Sequence, residues 1–407
     1  MDFKHKTLSN GLTLIAEPNP AAHTAGAGVF VRTGTRDETP GVMGVSHFLE
    51  HMCFKGTPTR TSDELNQAFD DRGLENNAYT SHEQTVYYAH GLPEHHLAAT
   101  ELLVDMMRPT LKQDDFDMEK KVILEEIAMY DDRPYWRAQD SLGEQYYQGH
   151  PLGYRVLGTA KTVTDLSRDQ MQHYFDARYA SDQMVIAAAG KIDFEPWCDA
   201  IEKQTEGWKP SGAARDFGTL RPAAADLSAT DEGLSQQYLC ITWPAPSSQS
   251  AQRFAAHVYA ELIGDVDGSR LYWALIDSGL AEEAALSFNP LDQTGQLMGY
   301  CAADPRKGKQ VEQILKDTLA NAAENLSEDE LTRTKMKLAT LKALESERPS
   351  GRMHRLGDRW LATGQPPEDE AAAIAAVTIE DIQQIAAYYH QGPVATVRLG
   401  PGASEEK

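Results

Sequence analysis

Residues 42–54 read VMGVSHFLEHMCF, with His47 and His51 four positions apart and Glu50 between them. The apolar positions suit a buried helix, and on a helix residues four apart share one face. Both imidazoles can then reach one ion at about 2.0–2.1 Å, with Glu50 beside them to take a proton from water at that ion. Paired histidines on a helix also occur as plain surface or core groups, so these five residues do not decide the matter alone. A three-ligand site with an open fourth position needs a further group, and a carboxylate on a second helix would serve.

The run EKKVILEEIAMY (119–130) offers one. Glu119 and Glu126 are seven residues apart and project within about 20° of each other on a helix. An acid pair beside Val122, Ile123 and Tyr130 is costly to bury unless something positive sits there, and Zn2+, one ion per chain, fits. We read Glu126 as the third ligand, Glu119 as a group orienting a ligand or the water, and Glu125 as solvent-facing.

Outward from these helices, residues 5–18 and 24–33 read as two strands. The Thr61–Gly73 segment reads as a capped helix, and NNAYTSHEQTVYYAHGLP (76–93) as a strand or hairpin. Helical patterns fill 93–109, 114–132, about 136–147 and 162–177, and QMVIAAAGKI (183–192) reads as a buried strand. The pattern dissolves over 206–232, rich in Pro, Gly and Ala, which makes this the linker. Beyond it the order strand, helices, strand pair, helices, strand recurs, with HVYAEL (257–262) where the first half has HFLEH. The expected fold is α+β: two related domains, 1–205 and 233–407, each a mainly antiparallel sheet flanked by helices, the second without the metal site.

At 407 residues two domains are the default, and 41% apolar residues supply material for both cores. A net charge of −23 argues against nucleic acid as a partner, since phosphate would be repelled. No apolar run reaches the roughly 18 residues of a membrane helix, the first residues lack a leader pattern, and the four cysteines are scattered. A cytoplasmic location, away from membranes, is the expectation.

His47-Phe48-Leu49-Glu50-His51, then Met52 and Phe54-Lys55-Gly56-Thr57, with Glu126 seventy-five positions after His51, resemble the insulinase and mitochondrial-processing-peptidase family. NNAYTSHEQTVYY resembles its Asn-Ala-x-Thr strand, and HPLGYRVLGT (150–159) also fits. The resemblance is specific over roughly 5–200; beyond that it rests on element order and GSRLYWAL (268–275). It implies that His47, His51 and Glu126 hold zinc, that Glu50 is the catalytic base, and that Glu119 is the second glutamate. It further implies that Asn77, Ala78, Tyr79 and Thr80 belong to an edge strand that holds peptide substrate, and that the two domains form half of a clam-like chamber.

The family's Arg and Tyr, seven residues apart in a run like L-R-x-x-x-x-G-L-A-Y, are missing. At the matching positions stand Leu275 and Glu282, while Arg270 and Tyr272 lie too close together. In some relatives one subunit bears zinc and a homologous partner supplies this pair. The resemblance thus implies a heterodimeric zinc endopeptidase acting on unfolded peptides, with a homodimer second. A non-catalytic core subunit of a larger assembly is the rival reading, and a zinc hydrolase of non-peptide amides a third.

Overall fold

The computed structural model describes residues 3–401, which form two compact units. In the first, six strands build one sheet: β1 (Lys4–Thr7), β2 (Thr13–Pro18), β3 (Ala25–Val31), β4 (Glu75–Thr80), β5 (Thr85–Gly91) and β6 (Met184–Gly190). Their order is β1-β2-β6-β3-β5-β4, antiparallel except for the parallel β2–β6 pair. In the second, β7 (Ala225–Thr230), β8 (Gln237–Pro244), β9 (Glu283–Leu291), β10 (Thr294–Ala303) and β11 (Ala395–Gly400) form a sheet of order β7-β11-β8-β10-β9. Here too one pair is parallel, β7–β11.

Leaving β1 aside, the two sheets share one connectivity. The first strand pairs in parallel with the last, the last lies beside the second, and the third strand is the far edge. The structure therefore shows two related domains, each a mixed sheet flanked by helices.

Three features differ from the sequence reading. The segment 5–18 is a hairpin, not one strand, because Asn10-Gly11 turns the chain between β1 and β2. The second half of the 206–232 segment is not patternless, since Ala225–Thr230 pairs with β11 as an edge strand. The units are also not contiguous in sequence: residues 129–153 belong to the second and 343–367 to the first.

The exchange is reciprocal. Helix Pro134–Tyr147, from the first half, lays Ala138, Leu142 and Tyr146 against Cys240, Val397 and Leu399 of the second sheet. Helix Pro349–Thr363, from the second half, buries Met353 and Leu356 against Ile15, Phe30 and Val185 of the first. Each begins with proline in its first turn, where the missing N–H costs no helical bond. All four cysteines are buried and free. No helix of the described residues is long and apolar enough to cross a membrane.

The second exchanged helix approaches its sheet closely at Gly357, where a β-carbon would stand 2.2 Å from Cζ of the fully buried Phe30 ring. Gly357→Ala at an open helix position would add roughly 1 kcal/mol of stability. Here we expect a net loss of about 1–3 kcal/mol, measured by urea unfolding, because the ring has nowhere to go. A variant more stable than the parent would show that the contact is not tight.

Candidate metal centre

The helix Val45–Met52 carries both histidines. Its N-terminus has no side-chain cap of its own, because Gly44 sits there with φ +92°, and a β-carbon at Gly44 would lie 2.7 Å from the Leu157 carbonyl oxygen. Glu38 takes over the task from outside the helix. Its two carboxylate oxygens accept the Gly44 and Ser46 N–H groups at 2.8 Å each, satisfying two donors that a helix start leaves open. Burial pushes the Glu38 carboxyl up to about 7, with the backbone bonds pulling the other way.

The Phe48 ring stacks on Phe116 with centroids 4.6 Å apart, which packs the histidine helix against the acidic helix Gln113–Asp131. On that second helix Phe116, Glu119, Ile123 and Ile127 are buried at spacings of three, four and four, so Glu119 belongs to the inward stripe. Val122, read from the sequence as a neighbour of the acid pair, instead faces solvent beside Met118 and Met129, and Glu125 is also exposed.

Both helices point their polar groups at one place. His47 Nε2 lies 3.7 Å and His51 Nε2 3.5 Å from Oε2 of Glu126. One donor atom from each of these three residues falls within 4.8 Å of the other two, and among the described residues this is the one such group. Ligands held at about 2.0–2.1 Å around a tetrahedral ion sit roughly 3.4 Å apart, so the trio fits a divalent metal ion. Burial, with the neighbouring His51 adding to it, drives the His47 pKa down to about 3 and keeps that ring neutral with a lone pair to offer.

His51 is held differently. Its Nδ1 donates to Oε1 of Glu119 at 2.8 Å, and the other Glu119 oxygen meets Lys55 Nζ at 2.5 Å. Burial opposes charge on both partners, yet the bonds from His51 and Lys55 hold the Glu119 carboxyl below its ordinary range. The same bond and the nearby carboxylates raise His51. A carboxylate so held only accepts, so Nδ1 carries a proton and Nε2 is the atom turned to Glu126. Glu50, beside them, accepts a hydrogen bond from Thr80 Oγ1 at 2.6 Å, and burial holds its carboxyl above the usual range.

The insulinase (peptidase family M16) model matches residues 13–160, and the M16 inactive-domain model matches 165–338. The uncharacterized zinc protease YmxG of Bacillus subtilis is 30% identical over 99% of this chain and 99% of its own length. A second uncharacterized zinc protease, from Mycobacterium tuberculosis, is 31% identical over 99% of this chain and 94% of its own length. The chain belongs to the insulinase family, peptidase family M16. A protease from Helicobacter pylori, 19% identical, has the same fold with a TM-score of 0.92 over 98% of this chain and 100% of that one.

The remaining residues singled out in the sequence fall as follows. Asn77, Ala78, Tyr79 and Thr80 lie on β4, the edge of the first sheet. Ala78 packs into the core on the histidine-helix side, whereas Tyr79 contacts His354 of the exchanged helix. In the M16 family pattern an Arg and a Tyr follow in the second half; here Leu275 is fully buried and Glu282 is exposed. Arg270 is occupied by Glu330 through two bonds and by the carbonyls of Ala322 and Glu324. Sequence reasoning missed Glu38, for which the turn-rich GTRDETPG just ahead of the histidine helix was the available signal, and gave Lys55 no role beyond its place in the quoted motif.

Because His47 stays neutral to about pH 3 while His51 is raised above 6.5, metal binding competes chiefly with one proton, that on His51. We expect apparent affinity for a divalent ion to fall about tenfold per pH unit on acidification below the His51 value. Calorimetry in buffers of different ionisation enthalpy should then record one proton released per ion; two would show that His47 titrates as well. Glu119→Ala should weaken metal binding about 10–100-fold in equilibrium dialysis. Unaltered affinity would mean that the His51 orientation is set by packing instead.

Proposed function

We propose that this chain is the zinc-bearing subunit of an endopeptidase that hydrolyses unfolded peptides or short proteins inside a dimeric chamber. The observation that carries this reading is the convergence of His47, His51 and Glu126 with Glu50 at their side. Two neutral imidazoles and one carboxylate suit one zinc ion per chain and leave a fourth position open. When bound, zinc polarises a carbonyl and brings the pKa of water toward 7.

The chain's own residues do the rest. Glu119 keeps the proton of His51 on Nδ1. Glu50 takes the proton of the attacking water and returns it to the leaving amine nitrogen, and its elevated pKa suits a group that must both accept and donate near neutrality. The β4 edge offers backbone groups to which an extended peptide can add as a further strand, through Asn77 to Thr80. Such addition makes little demand on side chains and selects substrates that are not already folded.

Leu275 and Glu282 supply neither guanidinium nor phenol to an oxyanion, so a homologous partner carrying an Arg/Tyr pair completes the site in this reading, in a cytoplasmic heterodimer. The core-subunit alternative has nothing comparable in its favour, since it gives no reason for four convergent metal-site side chains.

Glu50→Gln should reduce cleavage of a quenched fluorescent peptide by at least about a hundredfold while metal content stays at one ion per chain. Cleavage indifferent to that substitution would sink the mechanism. The purified chain should bind zinc yet cleave slowly, and gain activity when a homologous chain with the Arg/Tyr pair and no H-x-x-E-H is added. Full activity of the chain alone would remove the heterodimer.

A further inference from the structure

From the geometry of β4 we infer that Thr80 is a positioning residue for Glu50: its hydroxyl holds the base in its working rotamer rather than contacting the peptide. The inference rests on the peptidase reading above and assigns a different task to one residue of the substrate strand.

Side chains along a strand alternate between the two faces of the sheet. On β4, Ala78 packs into the core that includes the histidine helix, and Thr80, two residues on, reaches Glu50 of that helix. Tyr79 points to the other face, toward His354. A peptide adding to the edge would engage backbone groups in the plane of the sheet, where the Thr80 hydroxyl does not lie. That hydroxyl has one proton to give, and it gives it to Oε2 of Glu50 at 2.6 Å, a short bond of the charge-assisted kind. Its other hydroxyl neighbour, Thr85 Oγ1, is 3.5 Å away.

Thr80 is the one hydrogen-bond donor to the Glu50 carboxylate among the described residues, and it leaves Oε1 for the proton of the attacking water. A glutamate side chain has three rotatable bonds, and a base that must meet a proton within hydrogen-bond reach gains from having them fixed. Threonine is suited to this, because branching at Cβ restricts its own χ1. The backbone beneath it is also anchored. Ser81 N–H donates to the Gln84 carbonyl at 2.8 Å to close the hairpin, Arg215 binds the Glu83 carbonyl at 2.6 Å, and Arg36 pairs with the Glu83 side chain. Strand β4 would thus hold the peptide by its backbone and the base by a side chain, so one rigid element sets the distance between the scissile bond and Glu50.

The test compares wild type, Thr80→Val, Thr80→Ser and Glu50→Gln in whichever assembly cleaves. It reads zinc content, kcat and KM on a quenched fluorescent peptide, and binding of fluorescein-labelled casein to the metal-free full chain. Valine keeps the shape and strand preference of threonine without the hydroxyl; Thr80→Ala replaces it should the valine protein not fold. The expected result is one zinc per chain throughout, unchanged KM and casein binding, a kcat lower by about 10–100-fold without the hydroxyl, and recovery to within a few-fold in Thr80→Ser. A raised KM with weaker casein binding and intact kcat would make Thr80 a substrate contact and overturn the inference. So would wild-type kinetics in Thr80→Val, or an equal loss in Thr80→Ser. The peptidase reading fails separately, if Glu50→Gln cleaves like wild type.

Discussion

The hydrogen bond from His51 Nδ1 to Glu119 is the contact on which the rest of the site depends. It joins the histidine helix to the acidic helix and fixes which nitrogen carries a proton, and so which faces Glu126. Around it the charges do not balance. Glu50, Glu119 and Glu126 bring three carboxylates, against which the named groups set one lysine ion, Lys55, and two imidazoles. His47 stays neutral and the same carboxylates raise His51, which still leaves negative charge in excess in a half-buried space. Such a concentration is unfavourable unless a cation relieves it. A divalent ion at His47, His51 and Glu126 would bring charge of the sign that offsets it.

The cluster has structural supports some distance away. Glu38 closes the start of the histidine helix, and the Phe48–Phe116 stack fixes its distance from the acidic helix. The first sheet is itself covered on its other face by Pro349–Thr363, a helix contributed from far along the chain, with Gly357 allowing it to lie against Phe30. The sheet beside the histidine helix is therefore braced by contacts between residues more than 300 positions apart, such as Glu17 with Arg352 at 2.5 Å.

What was legible in the sequence was what is local. The four-residue spacing of His47 and His51 and the seven-residue spacing of Glu119 and Glu126 are properties of a single helix turn count, and the structure brings all four side chains into one neighbourhood. Pro134–Tyr147 was visible as a helix at about 136–147, whereas Pro349–Thr363 was not singled out among the helices expected after the strand pair. Nothing in an apolar stripe says which of two similar sheets it will cover, so their exchange could not be read. Strand β7 escaped notice because its sequence, ADLSAT, is polar and mostly exposed and finds its place through backbone pairing with β11. Val122 was misplaced because apolar character alone does not choose between the buried stripe and an exposed position beside it. Thr80 was read with its strand as substrate-binding, and the period-two alternation sets it on the face opposite Tyr79.

The second unit sharpens the distinction between fold and site. It repeats the connectivity of the first sheet, strand for strand once β1 is set aside, and places the helix Arg253–Gly264 directly after the second strand of its sheet, as the histidine helix follows β3. Yet at that place His257 packs edge-on against Phe288, and Glu261 has Asp265 and Lys337 for electrostatic neighbours. No second histidine follows it four residues later, and this helix contributes no group of three metal-binding side chains among the described residues. The same topology thus carries a metal-site constellation once and an ordinary packed helix once. The difference lies in which groups share a helix face and in whether a second helix returns a carboxylate to meet them. It follows that the sheet determines where such a cluster can be placed, while His47, His51 and Glu126, with Glu119 bonded to His51, supply groups that could hold a metal.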